Sequence, residues 1–140
     1  MTSEPTNQQI ADIVKAYLPR RWRLDEWTRE DAEADFLAKT IRCPDIVDKW
    51  TLGYFLHEAG HVLLRHRCEK TGQRHLPRHV EEHQAELFSW HTLQAWGMKP
   101  SSLYRWNSRV YVGSVILEDE ALAVPVDPKI RAWARFAKEQ

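Results

Sequence analysis

The spacing of apolar residues along the chain predicts several helices and one short sheet. Residues 5–18 carry apolar side chains at helical spacing, Thr6 and Gln9 can form a capping box, and Pro19 should end the helix. Further helical patterns cover residues 47–67, 79–96 and 101–119. Asp48 is a possible cap of the first of these helices, and Ser101 could cap the last. A final helical pattern begins at Pro128 and continues through Phe136.

Between the first two helices the pattern changes to alternation. The stretch RWRL at 21–24 alternates, and FLAKTIRCP at 36–44 has the composition of a strand that Pro44 closes. The acidic segment between them, residues 25–35, favours a turn or a short helical piece. The sequence therefore predicts an α+β fold that is mostly helical, with a small sheet ahead of the helix at 47–67. A length of 140 residues without an internal repeat suits one domain, residues 1–140.

Composition and charge narrow the possible partners. The chain has 20 basic and 20 acidic residues, so its net charge of zero gives no general attraction to nucleic acid or to an anionic membrane. No window of about 18 apolar residues is present, and the polar N-terminus lacks the features of a signal peptide. Cys43 and Cys68 have no metal-binding spacing, and the simplest interpretation is a cytoplasmic protein with reduced thiols.

The sequence HEAGH at residues 57–61 is the strongest chemical signal. In an α-helix His57 and His61 lie about 40° apart on one face, so both imidazoles can bind one ion. Glu58 lies about 60° to the side of His61, where it can reach a water in front of the ion. A single histidine on such a helix would be an ordinary surface or core residue. Two at this spacing, on a strongly apolar helix and with a glutamate between them, favour a metal site.

The remaining apolar positions of this helix point away from the two histidines. Leu52, Phe55, Leu56, Ala59 and Leu63 share the opposite side, so we expect that side to pack into the core.

A catalytic zinc site needs a third protein ligand, and the next helix offers the candidates. The extended pattern HExxHxxGxxH is absent because Leu64 stands where its glycine would be. Glu82 lies at the edge of the stripe of the second helix that should face the core, where a carboxylate requires a cation or a donor. Glu86, one turn further, could accept the free N–H of a ligand histidine.

Other residues of this region remain alternatives for the third ligand. The rivals to Glu82 are Glu81, His79 and His83. For Glu81 we prefer a simpler role, an acidic residue that suits the positive end of the helix dipole. We expect the other three histidines to face solvent: His66, His75 and His91.

The two motifs together resemble the ImmA/IrrE family of gluzincin metallopeptidases, which is common in prophages and bacterial regulatory loci. The matching residues are FLHEAGHVLL at 55–64 and EHQAELF at 82–88. The resemblance covers about residues 36–100, which would form a minimal gluzincin-like core, and leaves a C-terminal helical extension at about 101–140. It departs from the family where the second helix ends in LQAWGMKP.

This resemblance implies a role for each matching residue. The zinc ligands would be His57, His61 and Glu82, the catalytic glutamate would be Glu58, and Glu86 would hold the acidic position behind the ligands. The strand-like residues 38–44 would hold the substrate backbone as an edge strand.

The implied activity is hydrolysis of a peptide bond in a protein or peptide substrate, with Glu58 as general base on a zinc-bound water. The donor that stabilises the oxyanion stays open among four residues: Tyr54, Tyr104, Arg109 and Tyr111. One alternative is a regulatory or interaction module of a phage or bacterium that binds zinc with little or no catalysis. A DNA-binding protein with local basic clusters is the weakest alternative, and no membrane partner is expected.

Overall fold

Five α-helices and a three-stranded sheet make up the computed structural model, which describes residues 4–68 and 70–138. The elements in chain order are α1 (Asn7–Tyr17), β1 (Arg23–Trp27), β2 (Glu33–Asp35), β3 (Thr40–Pro44), α2 (Lys49–Leu63), α3 (Arg78–Ala95), α4 (Ser102–Ala121) and α5 (Ala134–Lys138). The α+β fold predicted from the sequence is confirmed. None of the helices in these ranges has the length and apolar character that a membrane span requires.

Capping residues set the starts of three helices. Thr6 and Gln9 form the predicted capping box of α1, and Asp48 accepts a hydrogen bond from the backbone N–H of Thr51 at the start of α2. Ser101 does the same for α4 through the N–H of Tyr104.

The last helix differs from its prediction, because α5 begins at Ala134 rather than at Pro128. The chain forms turns after Pro128, since Asp127 accepts the N–H of Lys129, and a single 3₁₀ turn at Arg131–Trp133 precedes the helix.

The sheet has the strand order β1-β3-β2, with β1 parallel and β2 antiparallel to the central strand. The prediction that residues 38–44 form an edge strand is therefore wrong. Ile41 and Cys43 of β3 are completely buried, so this strand lies against the core with a partner on each side. The short strand β2 is the edge that lies on the side of α2.

The core forms where α2 packs between the sheet and α3. Four of the predicted core residues of α2 are completely buried: Leu52, Phe55, Leu56 and Ala59. Leu63 is 44% exposed instead, because the helix ends there and the chain turns away. Gly60 faces the ring of Phe88 and lets α3 approach α2 closely.

Helix α4 packs against α3, with Tyr104 against Gly53 of α2, and carries α5 with it. A second apolar cluster joins these last two helices through Val112, Ile116 and Ala134. Residues 101–138 therefore continue the helical layer of the preceding residues and bring α4 beside the HEAGH motif.

Candidate metal centre

Three side chains from α2 and α3 converge in the interior. The Nε2 atom of His57 lies 2.8 Å from Glu82 Oε2 and 3.1 Å from His61 Nε2. The Nε2 atom of His61 lies 3.4 Å from the same Glu82 oxygen. All three residues are buried, with side chains that turn their ligating atoms toward a common point.

This spacing suits a tetrahedral ion. Bonds of about 2.0–2.1 Å place two tetrahedral ligand atoms roughly 3.3 Å apart, which lies inside the observed range of 2.8–3.4 Å. Within residues 4–68 and 70–138, His57, His61 and Glu82 are the one group of three metal-ligating side chains that meets so closely. This buried group could hold a metal ion.

The rivals for the third position have other partners. His79 is completely buried, and its Nδ1 lies 2.6 Å from Asp119 Oδ2. His83 packs its ring against Trp133. Neither residue joins the group of three.

Glu81 lies in the first turn of α3, as the helix-dipole interpretation predicted, but it also has a partner outside the helix. Its side chain is completely buried, and Arg74 Nε lies 2.9 Å from its Oε1. The partner comes from the loop before α3, so no pattern within the helix could reveal it.

A chain of polar groups lies behind His57. Glu86 Oε1 lies 2.8 Å from His57 Nδ1, although off the line of the N–H bond. The other carboxylate oxygen of Glu86 accepts a 2.6 Å hydrogen bond from Ser108, whose oxygen accepts the indole N–H of Trp90. The structure thus places Glu86 where it can hold a hydrogen on Nδ1 and leave Nε2 of His57 for an ion.

A different group lies behind His61. His66 was expected to face solvent, but it is 1% exposed and its Nδ1 lies 2.9 Å from His61 Nδ1. Its Nε2 lies 2.8 Å from Gln84 Oε1 on α3. His75 and His91 are exposed, as predicted.

The titratable groups of the site differ in the direction in which their pKa values are shifted. Burial, with help from Glu82 and Glu86, raises the pKa of Glu58 to about 7, while His57 acts in the opposite direction. Burial alone would raise the pKa of Glu82, but its close contacts with the imidazoles of His57 and His61 hold that pKa far below its usual range. Burial lowers the pKa of His61 to about 4, so its imidazole is neutral and suited to bind a cation.

A cleft of about 680 Å³ adjoins the group at His57, between α2, α4 and the segment before β2. His57 and Glu58 form part of its floor, and residues 30–32 form one wall. Oxygen Oε2 of Glu58 is buried and has no hydrogen-bond partner among the described residues. A buried carboxylate oxygen of this kind is available to a ligand or a water.

Aromatic residues form much of the cleft. The three tyrosines considered as oxyanion donors all line it: Tyr54, Tyr104 and Tyr111. The fourth candidate, Arg109, is instead packed over the rings of Trp90 and Trp133.

The cleft residues that were not identified from the sequence include Trp50 and Asn107. Trp50 lies one turn before Tyr54 on α2, so the two residues share a face of the helix. Once Tyr54 is known to face the cleft, this spacing predicts that Trp50 faces it as well.

Comparison with known proteins gave no match to the chain, whether with protein-family models, with curated proteins or with solved structures.

Proposed function

We propose that the protein is a zinc-dependent metallopeptidase. The observation that carries this proposal is the convergence of His57, His61 and Glu82 beside a cleft that His57 and Glu58 line. Two imidazoles, one carboxylate and an accessible side are the ligand set of catalytic zinc sites in hydrolases. The likeness of residues 55–64 and 82–88 to the motifs of the ImmA/IrrE family supports the same activity. A cytoplasmic location and an origin in a phage or bacterium belong to this proposal.

Glu58 is the general base in the proposed reaction. A zinc ion held by the three ligands would supply the Lewis acidity that activates water and polarises the peptide carbonyl. Glu58 accepts a proton from the water as the water oxygen bonds to the carbonyl carbon. It then gives that proton to the leaving nitrogen as the C–N bond breaks, so that a carboxylate and an amine are formed. Without an ion, burial raises the pKa of Glu58 to about 7, and a bound cation would lower that pKa and favour the carboxylate that accepts the proton.

The walls of the cleft suggest how the substrate lies. Residues 30–32 line it directly before the edge strand β2, so an extended peptide can approach that edge with its backbone. Tyr111 lies across the cleft with its ring 6.3 Å from that of His57. We assign to Tyr111 the hydrogen bond that stabilises the oxyanion, because its ring lies beside that of His57 and its hydroxyl, which accepts from Arg78, keeps its own hydrogen to donate.

The test combines zinc content with peptide cleavage. Purified protein should contain about one zinc per chain by mass spectrometry and should cleave members of a proteome-derived peptide library. The variant Glu58→Gln should keep its zinc and lose cleavage by about 100-fold or more. Tyr111→Phe should lower kcat with the zinc content unchanged.

Asp12→Asn is the matched control, since Asp12 is an exposed acid of α1 that bonds to Gln8 of the same helix and does not line the cleft. This control variant should leave the zinc content and the rate of peptide cleavage unchanged. Zinc binding without cleavage of any peptide would favour the non-catalytic zinc module. A protein that binds no zinc would overturn the proposal.

A further inference from the structure

We propose that Gln84 and His66 form a relay that fixes the tautomer of His61, so that His61 presents a bare Nε2 to a metal ion. The inference rests on the metal site that the proposed function requires. It assigns positioning roles to two residues that do not touch the ion themselves.

The hydrogen-bond inventory determines the direction of the relay. Gln84 Oε1 can only accept, so the hydrogen between it and His66 Nε2, 2.8 Å away, belongs to the imidazole. A neutral His66 with a hydrogen on Nε2 has a lone pair on Nδ1. The 2.9 Å contact between the two Nδ1 atoms then requires that His61 Nδ1–H is the donor.

This hydrogen-bond direction determines whether the metal-binding atom, His61 Nε2, carries a hydrogen. A neutral His61 with its hydrogen on Nδ1 has no hydrogen on Nε2, the atom that faces His57 Nε2 and Glu82 Oε2 at 3.1 and 3.4 Å. If the Gln84 amide donated instead, every hydrogen in the relay would reverse and His61 Nε2 would carry one. That hydrogen would point at the position of the ion, so a metal site requires the carbonyl orientation of Gln84.

The backbone after α2 holds His66 in place. Arg65 adopts a left-handed conformation with φ 56°, its N–H bonds to Val62 O at 3.0 Å, and the N–H of His66 bonds to His61 O at 3.0 Å. These two bonds form a Schellman motif, which turns the chain back under the last turn of the helix. The N–H of His75 bonds to the carbonyl of His66 at 3.1 Å and secures the other side.

The two histidines of the site are therefore supported in different ways. His57 has the carboxylate of Glu86 at its Nδ1, whereas His61 has a neutral imidazole. Because burial disfavours a charged His66, its support adds orientation without adding charge. A change that removes the acceptor at position 84 should therefore alter the tautomer of His61 more than the charge of the site.

The experiment uses variants at position 84, which lies on the exposed side of α3, so that the core is not disturbed. Gln84→Glu keeps an acceptor and should preserve the relay, whereas Gln84→Met keeps the length and removes the acceptor. Gln94→Met, an exposed glutamine of the same helix, is the matched control. Circular dichroism would verify that all three variants fold.

Nitrogen-15 NMR of the histidine rings, recorded on the full chain after chelation, reports the tautomers directly. We expect His61 to carry its hydrogen on Nδ1 and His66 on Nε2 in the wild type, in Gln84→Glu and in Gln94→Met. In Gln84→Met the two tautomers of His61 should mix, and zinc affinity by competition titration should fall about 10-fold. Gln84→Glu should bind zinc at least as tightly as the wild type.

Two outcomes would overturn the relay: a wild-type His61 with its hydrogen on Nε2, or a Gln84→Met variant with unchanged tautomer and zinc affinity. Failure of the proposed function is distinguishable from both. It would appear as absence of zinc binding or of peptide cleavage in the wild type, and the tautomers of the chelated protein do not depend on either.

Discussion

Arg74 and Glu81 form an ion pair that joins the loop after α2 to the first turn of α3. Arg74 Nε lies 2.9 Å from Glu81 Oε1, and Arg67 approaches the same oxygen at 3.5 Å. The two arginines also pair their backbones as an isolated β-bridge. Because the same loop carries His66, this ion pair helps to hold the group that lies behind His61.

We expect Glu81→Gln to destabilise the fold by about 1–3 kcal/mol, because it leaves two arginines facing a buried neutral amide. The arginines are partly exposed, so the loss should stay below that of a fully buried pair. Urea unfolding at saturating zinc would measure the change. An unchanged midpoint would show that the ion pair does not stabilise the loop.

Substitutions of the three glutamates of α3 should reduce zinc affinity in an order that differs from the order of their effects on stability. Glu82→Gln removes a ligand anion and should do the greatest damage, and Glu86→Gln should cost about 10–100-fold because His57 loses a charged acceptor. Glu81→Gln should have the smallest effect on zinc, although it destabilises the fold. Competition titration of the three purified variants would establish the order. If Glu81→Gln weakened zinc binding most, the assignment of Glu82 as third ligand would be wrong.

Local patterns were sufficient to predict much of this molecule. The capping residues Thr6 and Asp48 are visible in the sequence because a cap depends on side chains within three residues. The shared face of His57 and His61 follows from helix geometry alone. The position of Glu82 could be inferred because a core-facing carboxylate needs a partner.

The errors arise where contacts are not local. The Schellman motif after α2 has Arg65 where glycine is usual, so the turn that buries His66 carries no sequence signal. The central position of β3 depends on pairing with two strands on either side, and alternation within one segment cannot show which strand lies at the edge. The partners of Glu81 likewise lie in the loop before its helix, so the pattern within the helix could not reveal them.

Chelation should lower the melting temperature, because an ion bound by α2 and α3 stabilises only the folded state. At free zinc about 100-fold above Kd the stabilisation amounts to roughly 2.7 kcal/mol. Calorimetry with and without a chelator, and with zinc restored, would measure it. His61→Ala should abolish the dependence on zinc, whereas His91→Ala, at an exposed position of α3, should retain it. Equal melting temperatures after verified zinc removal would contradict a site shared between the two helices.

The contact between Gly53 of α2 and Tyr104 of α4 sets one wall of the cleft. A Cβ atom at Gly53 would lie 2.6 Å from Cζ of the tyrosine ring, closer than packed carbon atoms approach. Tyr104 is 5% exposed and its ring meets Trp50 edge-on, so it has little room to move.

Gly53→Ala should therefore destabilise the fold, by about 1–2 kcal/mol, even though alanine in a helix interior is ordinarily favoured over glycine by roughly 1 kcal/mol. In a Tyr104→Ala background the ring is absent, and the same substitution should stabilise by about 0.5–1 kcal/mol. Urea unfolding of the four proteins forms a double-mutant cycle whose coupling energy isolates this contact. If Gly53→Ala stabilised the protein in both backgrounds, α4 would not pack against α2 at this point, and the wall of the cleft that Tyr104 forms would have to lie elsewhere.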